Sequence, residues 1–274
     1  MKRSDRLIGM THYILEHPLE LIALPFFSDR YDAAKSSISE DLAIINRMLK
    51  VEGIGYIESV SGAAGGVRYV PQYAEDKSLD FINSIAERLE DPERILPGGY
   101  LFMSDILGEP ATVRQIGRLF ATAFAPLNID AVMTVATKGI PLAYAVASFL
   151  NVPVVIARRD PKITEGSTVS INYVSGSSRK IQTMVLTKRS LSKGATVCII
   201  DDFMKAGGTI DGMKNLLKEF DATVAAIGVL AEAEDEEDDR VVTDYTSLLQ
   251  ISNVDEKNKH IEVGKGNFFT KEYR

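Results

Sequence analysis

The chain has 274 residues, of which 45% are hydrophobic and 25% are charged, so it is long enough for two domains of ordinary globular composition. Its formal net charge of -7 argues against a general polyanion binder, and the single cysteine, Cys198, excludes disulfides and indicates a reducing compartment. The sequence shows no signal-peptide or transmembrane pattern, so we expect a cytoplasmic protein without a membrane partner.

Three predicted helices and a predicted β-hairpin occupy the first seventy residues. Apolar residues recur at helical spacing in three segments, and two runs rich in β-branched and aromatic residues flank a glycine-rich turn. The predicted helices span about 7–17, 25–31 and 34–49, and the predicted strands span 55–60 and 66–70. This order predicts a winged helix-turn-helix domain over residues 1–73.

The third predicted helix is the one expected to enter a DNA groove. We expect Ser36 or Ser37 to cap it, with Glu40 or Asp41 completing a capping box. Short hydroxyl side chains at its start suit close packing in a major groove, and cations on an N-terminal arm and on the wing could reach phosphates or a minor groove. The predicted DNA contacts are Lys2, Arg3, Arg6, Lys35, Ser36, Ser37, Ser39 and Arg68.

The charge balance of the first domain gives mixed support to DNA binding. Residues 1–73 hold eight Lys and Arg against nine Asp and Glu, so the segment is not basic overall. DNA affinity therefore requires cations clustered on one face, or positive charge from the second domain. The alternative is a winged fold that serves only for protein contact, and we favour DNA binding over it.

Alternating strands and helices follow a boundary that we place near residue 74. Helices are predicted near 79–89, 113–124, 140–150 and 208–217, a hairpin at 169–174 and 181–186, and strands at 101–103, 130–136, 152–157, 196–200, 221–230, 245–251 and 260–263. The last two strands are expected at sheet edges, and the hairpin is expected to avoid deep burial. The acidic run 232–239 is expected to be solvated rather than a metal site. This alternation predicts an α/β domain with a doubly wound, mostly parallel sheet over residues 74–274.

The segment 196–217 carries the most informative functional pattern. A buried strand ends at Asp201 and Asp202, and Gly207, Gly208 and Thr209 then open a helix. Glycines and a helix N-terminus favour an anion, with Thr209 as helix cap, whereas carboxylates accept hydrogen bonds from sugar hydroxyls. The combination predicts a site for a ribose 5-phosphate. A plain turn beside a solvated acidic edge is the alternative, which the spacing disfavours.

Four further segments are predicted to reach the same edge of the sheet, where parallel sheets bind ligands. Residues 137–139 form a second strand–loop–helix unit suited to an anion, and Arg158 ends a strand; solvated cations on ordinary connections are the alternative. Tyr100 either packs in the core or faces the ligand. The hydroxyls and amides of 175–178, at the hairpin tip, could close over the phosphates.

Two of these loops resemble the signatures of a known enzyme class. The run DDFMKAGGT, residues 201–209, resembles the 5-phosphoribosyl 1-pyrophosphate (PRPP) motif of type I phosphoribosyltransferases, and ATKGIPLAYA, residues 136–145, resembles their pyrophosphate loop. Nearly the whole chain is similar to the purine operon repressors of Gram-positive bacteria, through SSISEDL (36–42), GAAGGV (62–67), PERILPGGY (92–100) and TEGSTVSINYVSGSS (164–178).

The resemblance implies a homodimeric repressor of purine synthesis and transport genes, with a phosphoribosyltransferase-type second domain. It implies that PRPP, with Mg2+ on its pyrophosphate, acts as inducer rather than as substrate, and that transferase activity is lost. The implied effector contacts are Tyr100, Thr137, Lys138, Gly139, Arg158, Ser175, Gly176, Ser177, Asp201, Asp202, Phe203, Met204, Lys205, Ala206, Gly207, Gly208 and Thr209, with no catalytic residue.

The loop departs from the enzyme pattern at three positions. Enzymes of the fold usually have small or β-branched residues and a threonine where this chain has Met204, Lys205 and Ala206. We expect this change to misplace the pyrophosphate for reaction more than for binding. Two alternatives stay open: an active purine phosphoribosyltransferase with an appended regulatory domain, and a sensor in which guanosine tetraphosphate competes with PRPP.

Overall fold

Three helices and a hairpin form the N-terminal unit of the computed structural model, which describes residues 1–62, 65–97, 100–160, 166–174, 181–234 and 240–271. The elements are α1 (Arg3–Glu16), α2 (Leu24–Tyr31), α3 (Lys35–Glu52), β1 (Gly55–Val60) and β2 (Gly66–Pro71). The two strands pair antiparallel, with Gly55 opposite Pro71 and Val60 opposite Gly66. The predicted winged helix-turn-helix domain is confirmed.

A separate apolar core holds this unit together. The stripe on α3 that the spacing indicates, Ile38, Leu42, Ile45 and Leu49, is buried. It packs in one cluster with residues of α1, α2 and the hairpin, among which Tyr69 donates its hydroxyl proton to the Ile54 carbonyl at 2.5 Å. Because each fully buried aliphatic side chain contributes about 1.5–3 kcal/mol, this stripe fixes α3 against the rest of the unit.

The prediction of an N-terminal arm is wrong, because its arginines lie in a helix and bind a buried carboxylate. Arg3 and Arg6 are on α1, and Asp41 on α3 is fully buried. Arg3 Nε donates to Asp41 Oδ1 at 2.8 Å and Arg6 Nε donates to Asp41 Oδ2 at 2.5 Å. Burial opposes ionisation of Asp41, but hydrogen bonds from Arg6 and Arg3 outweigh it and lower the pKa of the carboxyl.

The predicted cap of α3 is also wrong. The helix begins at Lys35, and the extended residue Ala34 takes the N-cap position without a side-chain hydrogen bond. Ser36 and Ser37 therefore lie within the first turn. Asp41 is engaged by α1 and cannot complete a capping box.

A six-stranded sheet in the order β12-β11-β10-β9-β5-β6 is the centre of the C-terminal unit. The elements are α4 (Glu75–Leu89), β3 (Ile95–Leu96), β4 (Tyr100–Leu101), α5 (Ser104–Gly108), α6 (Pro110–Phe124), β5 (Ala131–Val135), α7 (Ile140–Leu150), β6 (Val154–Ala157), β7 (Thr168–Val174), β8 (Ile181–Thr187), β9 (Thr196–Met204), α8 (Gly208–Lys218), β10 (Thr223–Ala233), β11 (Thr246–Asp255) and β12 (His260–Lys265), with 3-10 helices at Pro92–Arg94 and Asn267–Phe269. All neighbours are parallel except β11 and β12.

Two apolar clusters cover the two faces of this sheet. Cys198 and Ile200 of β9 pack with α4, α5, α6 and α7, whereas Val197 and Ile199 pack with α8 and the β7–β8 hairpin. Successive residues of one strand thus enter opposite cores, as in a covered parallel sheet. The predicted doubly wound α/β architecture is confirmed. None of the helices in the described ranges has the length and hydropathy needed to cross a bilayer.

Four details of the sheet domain differ from the sequence-based expectations. β11 is interior, because β12 returns antiparallel beside it and takes the edge. The hairpin is partly buried, since Tyr173 and Met184 pack in the same cluster as α8. Within the acidic run, Glu232 is buried and residues 235–239 lie outside the described part of the chain. The short helix α5 takes the place of a longer strand near Met103.

The two units meet where α6 contacts the end of the wing. The Tyr73 backbone N–H donates to Thr122 Oγ1 at 2.9 Å. The Arg118 guanidinium carbon lies 5.7 Å from the centroid of the Tyr73 ring and 5.3 Å from that of Phe149. Burial lowers the pKa of Arg118, and the two neighbouring rings stabilise its charge at the junction by cation–π interaction.

The arginine–Asp41 contact gives a stability prediction. We expect Asp41→Asn to lower the free energy of unfolding of the N-terminal unit by about 3 kcal/mol, because it leaves the Arg6 guanidinium without its counter-charge. The lowered folded-state pKa of Asp41 stabilises the protein above the unfolded value of about 3.9, and this contribution is lost as pH falls through the folded-state pKa. Denaturant titrations at pH 7 and pH 3 test both effects.

The control for this prediction is Glu40→Gln, since Glu40 is exposed and its Oε2 accepts a long hydrogen bond, 3.4 Å, from Arg3 Nη2. Equal stability loss in the two variants, or an acid dependence that survives in Asp41→Asn, would contradict the assignment.

Candidate functional site

A cleft of about 770 Å³ opens at the carboxyl ends of β9, β10 and β11. Its lining includes Asp202, Lys138 and the loop that follows β9, with the β3–β4 hairpin on the opposite side. Predicted site residues that line it are Tyr100, Lys138, Asp202, Phe203, Met204, Lys205, Ala206, Gly207 and Thr209. The topology therefore gathers segments separated by more than a hundred residues at one edge of the sheet.

The glycine loop joins β9 to α8 with a left-handed turn. β9 continues to Met204, four residues beyond its predicted end, and pairs with β10 up to Met204 opposite Glu232. Gly207 has φ 83 and takes the N-cap position of α8, so the prediction that Thr209 caps this helix is wrong. The first amides of α8 have no partner within the helix and are directed as an anion site requires.

Two carboxyl groups lie at the floor of this edge. Asp201 is buried and Asp202 is half-buried, and the Asp202 backbone N–H donates to Asp201 Oδ1 at 3.0 Å. Burial raises the pKa of Asp201 well above its usual value, and the neighbouring Asp202 raises it further. Burial also raises the pKa of Asp202, while the Lys138 charge opposes that shift. Carboxylates that burial has removed from water are stabilised by hydroxyl donors or by a nearby cation, and a sugar diol with a bound metal would provide both.

The second loop lies directly against the first aspartate. Thr137 and Lys138 are exposed, whereas Gly139 is buried. A Cβ at Gly139 would lie 2.3 Å from Thr134 Oγ1 and 3.0 Å from Asp201 Oδ1, so only glycine fits here. The Ala136–Thr137 peptide bond is cis. The second anion loop thus packs through Gly139 against Asp201 of β9, the strand that leads into the first anion loop.

Several predicted contacts stand apart from the cleft wall. Arg158 is half-buried at the end of β6, where its backbone N–H and carbonyl both bond to Val185, at 2.9 and 2.7 Å. Ser175, Gly176 and Ser177 lie outside the described residues. Tyr100 is 60% exposed and lines the cleft, so it does not pack in the core, and its contact with a ligand stays a prediction.

One wall of the cleft was missed by the sequence reasoning. It is made of apolar side chains and a few polar ones from the ends of β10, β11 and β12: Glu234, Ile251, Ser252, Asn253, Val254 and Ile261, with Leu96 and Pro97 opposite. The rule that parallel strands end at the ligand could have identified those on β10 and β11. A wall of this composition can cover a planar apolar group.

The predicted DNA contacts fall into two sets. Lys35, Ser36 and Ser39 are exposed and Ser37 is half-buried on the first turns of α3, and Lys2 is exposed before α1. The three arginines are instead held by carboxylates: Arg3 and Arg6 by Asp41, and Arg68 by Glu58 across the hairpin. The helix end thus exposes one lysine and two serines, Lys35, Ser36 and Ser39, whereas Arg6 is only 13% exposed.

Comparisons with known proteins agree with this division. Residues 2–71 match the family model of the bacterial purine repressor N-terminal domain, and residues 103–264 match the phosphoribosyl transferase domain. The purine biosynthesis transcriptional repressor of Bacillus subtilis (strain 168) is 60% identical over 97% of this chain and 93% of its own length. The purine biosynthesis transcriptional activator of Lactococcus lactis subsp. lactis (strain IL1403) is 47% identical over 98% and 99%.

Among solved structures, adenine phosphoribosyltransferase from Thermoanaerobacter pseudethanolicus aligns with a TM-score of 0.53 at 21% identity, covering 61% of this chain and 98% of that chain. Similarity at this level shows the shared fold of the second domain.

The contact between the two loops predicts the effect of a single methyl group. We expect Gly139→Ala to reduce the free energy of unfolding by about 1–3 kcal/mol, because the added Cβ overlaps Thr134 and approaches Asp201. Urea titration measures the change. Gly108→Ala is the matched control, since no atom lies within 4 Å of its added Cβ. A variant as stable as wild type would contradict the described contact.

The raised pKa of Asp201 predicts that this residue costs stability in the free protein. We expect Asp201→Asn to raise the melting temperature at pH 9 by about 2–4 °C, equivalent to ~1 kcal/mol. The gain should shrink as pH falls below the raised folded-state pKa and vanish near the unfolded value of about 3.9, because only between these two values does the unfolded chain bind fewer protons than the native one. Thermal melts from pH 5 to pH 9 measure this, with the exposed carboxylate variant Asp80→Asn as control. A gain that grows toward acid pH would refute it.

Proposed function

The chain belongs to the family of bacterial purine biosynthesis transcriptional regulators, and on this basis we propose that it represses purine synthesis and transport genes and leaves its operator when PRPP binds. The observation that carries the proposal is one cleft lined by Asp202, Lys138 and the glycine loop, with buried Asp201 packed against Gly139 of the lysine loop. Relatives include both a repressor and an activator, and the more similar of the two is the repressor.

The proposed ligand pose assigns one chemical group to each part of the site. The 5-phosphate accepts hydrogen bonds from the amides of residues 207–209, and the ribose hydroxyls donate to Asp201 and Asp202. The pyrophosphate, neutralised in part by Mg2+, lies toward Lys138 and its loop. Arg158 and the hairpin tip remain predicted pyrophosphate contacts.

The DNA-binding half of the proposal is supported by the exposed start of α3. Lys35, Ser36 and Ser39 are accessible at the turn where a recognition helix contacts bases and phosphates. The Asp41 contact with α1 holds this helix end in place from the inner side. A homodimer would present two such helices to two half-sites, which is the usual way that this motif gains specificity.

The proposed absence of transferase activity is supported by the loop that departs from the enzyme pattern. Met204 is buried, which leaves Lys205 as the exposed side chain where the cleft meets the loop. A bulky cation here can attract an anion but alters its alignment, which matters more for reaction than for binding. Pyrophosphate release from PRPP and a purine base is the assay; turnover would favour the enzyme alternative.

A second ligand is suggested by the apolar wall that PRPP alone would not cover. Leu96, Ile251 and Val254 face the cleft beyond the aspartates, and a cleft of about 770 Å³ is large enough for a nucleotide. Guanosine tetraphosphate offers a planar base, a ribose and two pyrophosphates. We propose that it competes with PRPP, and independent binding of the two ligands would argue against a shared site.

The coupling between the sites gives the central prediction. We expect saturating PRPP with Mg2+ to weaken binding to purine-promoter DNA by about 5–150-fold, the range of a coupling free energy of ~1–3 kcal/mol. Fluorescence anisotropy with labelled DNA at fixed ionic strength measures this effect. Unchanged DNA affinity at saturating PRPP would refute the coupling, and tighter binding would show the opposite regulatory sign.

Two variants distinguish the proposed PRPP site from the proposed DNA site. Asp202→Ala should bind PRPP at least tenfold more weakly while its DNA affinity without effector is kept, because only hydroxyl contacts are lost. Asp80→Ala, on the exposed side of α4, should respond as wild type does.

A further inference from the structure

A buried ion pair lies immediately behind the glycine loop. Glu232, at the carboxyl end of β10, is 5% exposed and accepts hydrogen bonds from Arg240, Tyr245 and Ser247. The Arg240 guanidinium also donates to the Ala233 carbonyl, and its carbon lies 5.4 Å from the centroid of the Tyr245 ring. Both carboxylate oxygens and two of the three guanidinium nitrogens are thus hydrogen-bonded, which offsets much of the cost of burying the pair.

The residues that follow Arg240 contact the loop itself. The Val241 N–H donates to the Ala206 carbonyl at 3.0 Å. Val242 is buried, and its Cβ lies 3.1 Å from the place that a Cβ on Gly207 would occupy. One short segment therefore holds the backbone of the loop by a hydrogen bond and by packing, and residues 240–242 are not among those that line the cleft.

We propose that Arg240, anchored by Glu232, is a positioning residue for the 5-phosphate loop. The pair fixes the segment 240–242, which in turn fixes Ala206 and Gly207 at the start of α8. Neither side chain is placed against the ligand, so their effect on binding is indirect. This inference rests on the proposed function, because it takes the glycine loop to be the phosphate subsite.

The proposal predicts a selective effect within one cleft. The lysine loop has its own support, since Gly139 packs on Thr134 and Asp201 rather than on the segment 240–242. Loosening the Arg240 anchor should therefore harm binding of a sugar 5-phosphate and spare binding of pyrophosphate. A general loss of folding would harm both.

The experiment compares Arg240→Gln with wild type by calorimetry, using PRPP, ribose 5-phosphate and pyrophosphate, each with Mg2+. We expect the affinities for PRPP and ribose 5-phosphate to fall tenfold or more, while the affinity for pyrophosphate stays within twofold. Arg88→Gln is the control, because Arg88 on α4 pairs with Glu109, the N-cap residue of α6, at a more exposed position outside the cleft lining. Unchanged ribose 5-phosphate binding, or equal loss of both ligands, would overturn the proposal.

A ligand-free measurement separates this inference from the proposed function. Hydrogen exchange in a peptide covering 203–211 should be faster in Arg240→Gln, with a peptide covering 137–142 unchanged. If wild type binds no PRPP but this exchange pattern appears, the proposed function fails and the positioning role stands. If Arg240→Gln does not fold, Val242→Ala, which removes the packing contact without leaving a buried charge unpaired, is judged by the same criteria.

Discussion

The C-terminal unit is built around the cost of burying two neighbouring carboxyl groups, Asp201 and Asp202, near the end of β9. Removing ionised groups from water is costly unless donors or opposite charges surround them. Nearby cations meet this requirement in part, since the charge of Lys138 lowers the pKa of Asp202 and that of Arg159 lowers the pKa of Asp201. Gly139 has no side chain that would separate the second loop from the Asp201 carboxylate. The proposed hydroxyl-rich ligand would replace hydrogen bonds to water that folding removes, so the stability that these carboxyl groups cost would be recovered on binding.

The same loops are continuous with the junction between the two units. α7 begins directly after Gly139 and packs closely on α6, where a Cβ on Gly117 would lie 2.7 Å from atoms of Ala145. The next residue, Arg118, contacts Tyr73, and Thr122 accepts the Tyr73 N–H. Densely packed elements shift as units rather than deform, so movement of the lysine loop has a physical route to the wing.

Features that are local in the sequence were predictable. The aspartates, the glycine loop and the helix after it lie within one short segment, and the strand-end rule then places the other loops beside them. The ion pairs could not be predicted from the sequence, because Asp41 lies 38 residues from Arg3 and 35 from Arg6, and no periodicity links these positions. Glu232 belongs to an acidic run by composition, yet its burial follows from pairing of β10 between β9 and β11, which only the assembled sheet determines.

The cation at the junction has a consequence for how the molecule behaves in different buffers. Added electrolyte weakens attraction between exposed charges, including those that bring a protein to a nucleic acid. The guanidinium of Arg118 lies instead beside two aromatic rings in a half-buried position, where added salt screens its contacts less than those of exposed charges. A change in ionic strength can therefore alter the affinity for DNA while the contact between the N-terminal and C-terminal units is kept.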